Sequence, residues 1–220
     1  MGRGSTLRRA FYRAPADQVA PLLLNKLLIV TDGRAGRIVE VEAYGGGDDP
    51  ASHAYRGVTP RNQVMFADPG MLYVYLSYGV HWCANAVCGP AGEASAVLIR
   101  ALEPVRGVEL MRATRPEPRS PRRPRSTSDR DLCRGPGRLC RALGVDGTAN
   151  GVDLTATGSA VRIVDDGIPP PERPATSGRI GITKGTEREW RFAVPDHPCV
   201  SGPPPWERPG IASPSKPISN

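Results

Sequence analysis

Lysine is scarce in this sequence: Lys26, Lys184 and Lys216 are the whole supply, and none falls within its aromatic cluster. Chemistry that needs an activated amine is therefore not expected. No apolar run approaches the ~20 residues that cross a bilayer, so no membrane association is expected. The first residues, MGRGSTLRRAFYRAPA, lack the apolar segment of a secretory signal, and their match to the myristoylation pattern is too short to weigh. The expected location is cytoplasmic, which means nucleoid-associated in a bacterium and nuclear in a eukaryote. Five cysteines, at 83, 88, 133, 140 and 199, are an odd number without a CxxC pair. That argues against a disulfide framework and a zinc ribbon, and points to a reducing compartment. His197 and Cys199 lie two apart, but one such pair without further ligands makes no metal site, and no metal is expected. There is no internal repeat.

What is present fits one core. A chain of 220 residues with 39% hydrophobic and 23% charged residues reads as a single globular domain. The net charge of +7 is unevenly spread: residues 106–141 hold eleven basic against four acidic residues, and the remainder holds eighteen of each. A localised cationic stretch is the footprint expected for a polyanion, and equally of a solvated basic loop.

Seven of the twelve aromatic residues fall between Tyr44 and Trp82. At their centre is MLYVYLSYGVHWCAN, residues 71–85. Leu72, Val74 and Leu76 alternate with Tyr73, Tyr75 and Ser77, so a strand sends aliphatics to one face and tyrosines to the other. At Tyr78-Gly79 the chain can reverse, which predicts a protruding hairpin with an aromatic residue at its tip. A tyrosine beside a turn glycine is hard to bury, whereas the other aromatics read as core or as a stacking surface.

The preceding strand, Arg37 to Tyr44, alternates so that Val39, Val41 and Ala43 share one face and Ile38, Glu40, Glu42 and Tyr44 the other. Two carboxylates and a tyrosine on one face read as a solvated strand surface or, with GGGDDP and His53 close behind, as the rim of a site. Elsewhere, residues 14–28 suggest a short helix with Pro21 in its first turn, followed by a strand from Leu27. TPRN at 59–62 reads as a turn carrying Arg61, and Asn85 as a buried amide that needs partners. Ser95 to Leu102 is a strand holding Arg100 among aliphatics and ending at Glu103-Pro104. Residues 107–113 are helical, and 115–128 are too rich in Pro, Ser and Arg to pack. Gly135-Pro136-Gly137 allows close backbone approach before a helix opening near Arg138, a candidate phosphate site. Strands are expected over 153–164, 179–183 and 190–194, followed by a Pro-rich tail that is extended or disordered, with Trp206 as a candidate docking residue.

Taken together, GRIVEVEAY, TPRN, MFADPGMLYVYLSYGVHWCAN, SAVLIRALEP and DLCRGPGRLCRAL closely resemble the 3-methyladenine (alkyladenine) DNA glycosylases, in the same order from about Phe11 to Ser201. The resemblance implies a mixed α/β (α+β) domain on a curved antiparallel sheet. It also implies a monomeric enzyme that hydrolyses the N-glycosidic bond of damaged purines in double-stranded DNA without metal or cofactor. A flexible segment 1–10, a domain over 11–201 and a tail over 202–220 follow from it.

The resemblance also assigns roles. Glu42 matches the catalytic acid/base and Arg100 a cation beside it. Tyr44, His53 and Tyr75 match the walls that stack on an extruded base, and Asn85 the amide that disfavours guanine's 2-amino group. Tyr78 matches the intercalating residue that fills the gap a flipped nucleotide leaves. Arg61, Val80, His81, Gly135 and Arg138 are expected at the DNA. Val80 and His81 replace bulkier or aromatic residues, and Cys199 stands where tryptophan is familiar.

Overall fold

Alternating and continuous runs of aliphatic residues form the strands around which the chain is organised, and the computed structural model describes residues 4–115 and 128–202. The strands are β1 (Ser5–Thr6), β2 (Leu27–Val30), β3 (Ala35–Tyr44), β4 (Leu72–Ser77), β5 (His81–Cys88), β6 (Ser95–Arg106), β7 (Val161–Asp165), β8 (Ala175–Ser177) and β9 (Arg191–Ala193). They form one sheet in the order β1-β7-β2-β3-β6-β5-β4, every pair antiparallel. The sheet curls into a half-barrel, and β2 pairs the start of β3 while β9, itself paired with β8, takes over from Glu40 to Glu42. Helices α1 (Ala16–Leu23), α2 (Val108–Ala113) and α3 (Pro136–Leu143) complete a single α+β domain.

One face of the curl holds the main core, where Leu23, Leu28, Ile38, Ile99, Leu102 and Leu139 are fully buried. Each such side chain contributes about 1.5–3 kcal/mol relative to exposure. The opposite face carries a smaller cluster around Met65, Tyr73, Val87 and Ala96, with Tyr75 packed against it. The aliphatic and tyrosine faces of β4 therefore separate as the alternation predicts.

Strand β3 departs from simple alternation. Ile38 pairs with Leu102 and Glu40 with Ala101, and Val41 then pairs with Ile99, so Val39 is extra on β3 and Arg100 is extra on β6. Two compensating bulges result, and a bulge re-aims the side chains around it. Ile38 joins Val41 and Ala43 in the main core, while Val39 packs with Ala101 and Cys199 in a separate cluster. The expected face of Ile38 with the glutamates is thereby corrected. The carboxylates are not on a solvated surface either: Glu40 and Glu42 are both 0% exposed.

Other boundaries differ for local reasons. The expected flexible segment 1–10 contains β1, whose Ser5 and Thr6 pair with Asp165 and Val164. Pro21 sits in the second turn of α1, and the helix ends two residues later, where the missing N–H and the ring disfavour continuation. Strand β6 runs through Pro104 to Arg106, because Pro104 faces Gly36 beside a register shift where no ladder donor is required. Helix α3 starts at Pro136 rather than near Arg138, proline suiting a first helical position. Only 161–164 of the segment 153–164 is strand, with β7 running on to Asp165, residues 179–183 are irregular, and β8 lies outside the expected strands. Residues 116–127 of the basic loop and 203–220 of the tail, Trp206 included, lie outside the described residues. At the loop's base, Arg115 donates to the Ser128 carbonyl at 2.7 Å.

Candidate active site

A cleft of about 640 Å³ opens where β3, β4, β5 and β6 present their polar face, with Tyr44, His53, Tyr75, Asn85, Arg100 and Ile180 among its walls. That is ample for a purine nucleoside. Glu42 stands directly behind the wall and is fully buried. Its Oε1 accepts from the Ile180 backbone N–H at 2.7 Å, and its Oε2 accepts from Tyr44 Oη at 2.9 Å and lies 3.1 Å from Arg100 Nη1. All three partners line the cleft. A carboxylate has about four acceptor positions, so these three partners leave one acceptor position unfilled.

The charges around Glu42 are arranged by strand pairing. Arg100, the bulge residue of β6, reaches Glu42 with one nitrogen and donates Nε to Glu40 Oε1 at 2.9 Å. Burial alone would lower the arginine's pKa, but Glu42 and Glu40 outweigh it and hold the guanidinium above its ordinary value. Burial, reinforced by the Glu42 charge, raises the Tyr44 phenol well above its usual range, so it remains a hydrogen-bond donor.

The aromatic walls are built on the hairpin. Tyr73 and Tyr75 lie 5.4 Å apart with rings 27° from parallel, and His53 meets Tyr75 edge-on at 4.4 Å. His53 Nδ1 is 3.1 Å from Tyr73 Oη, and burial together with the Arg61 charge lowers the imidazole's pKa. Asn85, 4% exposed, donates its amide to the carbonyls of Tyr73 and Cys83 at 3.0 and 3.4 Å. Its structural partners are thus identified, and it still lines the cleft.

At the hairpin tip Tyr78 is 90% exposed. Both Tyr78 (φ 49°) and Gly79 (φ 68°) have left-handed backbones, the conformation a tight hairpin turn needs. Glycine adopts it freely, whereas a tyrosine there costs on the order of 1–2 kcal/mol. Val80 is 60% exposed beside it. His81 packs against the start of α3, where a Cβ on Gly137 would come within 2.8 Å of the His81 ring, so only glycine fits. Gly135 is the N-cap of α3, and the exposed Arg138 reaches back to Asp131. Arg61 is turned inward, its guanidinium 5.6 Å from the Tyr75 centroid and donating to the Leu76 carbonyl at 3.1 Å.

Some partners escaped sequence reasoning. Arg179 and Asp49 form a fully buried bidentate pair at 2.5 and 2.8 Å. Arg179 also donates to the carbonyls of Ala43 and Gly185 and lies 4.8 Å from the Tyr44 ring centroid, so it ties the GGGDDP loop to residues 178–185 behind that wall. The double aspartate after a glycine run was the only local hint. Lys184, expected away from the aromatic residues, lines the cleft rim, because that same segment folds over the site. His197 and Cys199 form a local turn, with Cys199 N–H donating to Nδ1 at 3.2 Å. All five cysteines are buried free thiols.

Comparison with known proteins agrees with this geometry. The profile of the methylpurine-DNA glycosylase (MPG) family matches residues 10–198. A Burkholderia lata protein is 56% identical over 200 residues, 91% of this chain and 93% of that one. A Frankia casuarinae protein is 51% identical over 209 residues, covering 90% and 93%. A Rhodopseudomonas palustris protein is 48% identical over 214 residues, covering 91% and 90%. All three bear the name "Putative 3-methyladenine DNA glycosylase". With the half-barrel sheet, the buried carboxylate and the aromatic cleft already in place, these matches show that the chain belongs to the methylpurine-DNA glycosylase family.

Proposed function

We propose that this protein is a monofunctional glycosylase that flips damaged purines, such as 3-methyladenine, 7-methylguanine, hypoxanthine and ethenoadenine, out of duplex DNA and hydrolyses their N-glycosidic bond. The observation that carries this reading is Glu42, fully buried and held by three donors that line a cleft able to take a purine nucleoside. Tyr78 fills the space left by the extruded nucleotide, at an unstacking cost of a few kcal/mol. The base enters between Tyr44, His53 and Tyr75, whose π-faces attract a methylated cationic purine by about 0.5–2 kcal/mol per contact.

Glu42 takes a proton from a water aimed at the sugar C1′. The new C–O bond forms as the C1′–N bond breaks, and its electrons leave with the purine. Base action of this kind contributes about 10²- to 10⁴-fold, and the buried carboxylate also stabilises the positive charge developing on the sugar. Lys184 is exposed at the cleft rim, and in this proposal water is the displacing group. The test is a duplex carrying 3-methyladenine or hypoxanthine: free base should be released with the strand intact, and borohydride should trap no protein–DNA adduct. A trapped adduct would overturn the single displacement, and absence of base release from every lesion would overturn the function.

A further inference from the structure

Glu40, Arg191 and Ser201 lie behind the cleft wall, and the excision step described above does not use them. Glu40 is fully buried and its carboxylate holds three donors: Oε1 accepts from Arg100 Nε at 2.9 Å and Arg191 Nε at 2.7 Å, and Oε2 accepts from the Ser201 backbone N–H at 2.5 Å. Arg191 comes from β9, opposite Glu42, and its Nη2 donates to the Ser201 carbonyl at 2.6 Å. Arg100 also lies 3.4 Å from Ser201 Oγ. One guanidinium therefore bridges two buried carboxylates, and its Nε bond to Glu40 fixes how its plane is turned toward Glu42.

Two carboxylates on a single cation would leave surplus negative charge in a dry site, which is ordinarily relieved when one of them takes up a proton. Arg191 supplies the second cation, so two acids and two bases balance. The other groups facing Glu42 are Tyr44 from its own strand, Tyr75 and Cys83 from the hairpin, and Arg179 from the loop over the cleft. Burial raises the phenols and the thiol and keeps them neutral, which leaves Glu40 as the acid that competes for Arg100.

We propose that Glu40 and Arg191 are positioning residues for base excision, which orient Arg100 against Glu42 and divide the buried charge so that Arg100 serves Glu42. This rests on the reading of Glu42 as the catalytic carboxylate.

The experiment is single-turnover release of hypoxanthine as a function of pH, together with lesion affinity, for wild type, Glu42→Gln, Glu40→Gln, Arg191→Gln and the double variant. Glu40→Gln removes the competing acid, so the acidic limb of its profile should move to lower pH by about one unit. Its plateau should fall about 10- to 100-fold through lost orientation, with affinity unchanged. Arg191→Gln leaves Glu40 drawing on Arg100, so its limb should move to higher pH, and the double variant should bring the limb back while the plateau stays low. Limbs that do not move, or that move the same way in both single variants, would overturn the proposal, as would an unaltered plateau. Any variant that fails to fold is replaced by Glu40→Asp or Arg191→Lys, where charge is kept and geometry altered. There the limb should stay and the plateau fall, and an undiminished plateau would overturn the proposal. An inactive wild type, or a fully active Glu42→Gln, would instead remove the underlying assignment of Glu42.

Discussion

His53 shows how a single side chain sets the response to pH. Burial first, and the Arg61 charge second, lower its pKa from the ordinary 6.5, so its ring is neutral at pH 7. The unfolded chain binds that proton more readily, so stability from this site is complete above pH 6.5 and declines as pH falls through the lowered folded value. Below that value a protonated imidazole would face a cationic base. Affinity of the Glu42→Gln protein for 7-methylguanine duplex should therefore drop with acidification more steeply than for hypoxanthine duplex, as titrated by fluorescence anisotropy. His53→Gln should abolish the difference. The roles of Glu42, Tyr44 and Asn85 were suggested by local alternation and by resemblance, and the structure sets Tyr44 and Asn85 in the wall of one cleft with Glu42 behind it, bonded to Tyr44. The role of Asp49 was not legible, because its partner Arg179 is 130 positions away and only the folded chain brings them together. Asp49→Ala should cost about 3–5 kcal/mol in urea unfolding, since it leaves a buried guanidinium unpaired.

Among the elements, the β4–β5 hairpin was the most legible, its period-two pattern and Tyr78-Gly79 turn being local features. Its left-handed tyrosine implies a conflict between stability and activity. Tyr78→Asn should leave the protein equally stable or stabilise it by about 1 kcal/mol, because asparagine tolerates that backbone better. Excision from duplex should nevertheless fall at least tenfold, and excision from single strands should change less, as measured by single-turnover base release alongside thermal melting. Loss of both activities in equal measure would mean that Tyr78 supports the fold rather than the flipped state. The paired bulges of β3 and β6 were not legible. They depend on how two strands separated by some sixty positions settle against each other, and no residue type at Val39 or Arg100 announces them.

Across the whole molecule, the fold class and the presence of the larger strands followed from pattern and resemblance, whereas the short strands β1 and β8 exist only through their partners. The excess positive charge lies in residues 106–141, which include the basic segment 116–127 outside the described residues. Deleting Arg119 to Arg125 removes four arginines, so the slope of log affinity against log salt should flatten by up to about 3–4 if they contact phosphates. An unchanged slope would assign that segment to solvent. The proposed catalysis, by contrast, rests on one carboxylate behind an aromatic cleft. The most direct measurement is single-turnover release of free 3-methyladenine from duplex by wild type and by Glu42→Gln, with lesion affinity measured on the same preparations. The expected result is a loss of release of at least about 10²-fold with affinity retained. Undiminished release by Glu42→Gln would contradict the account.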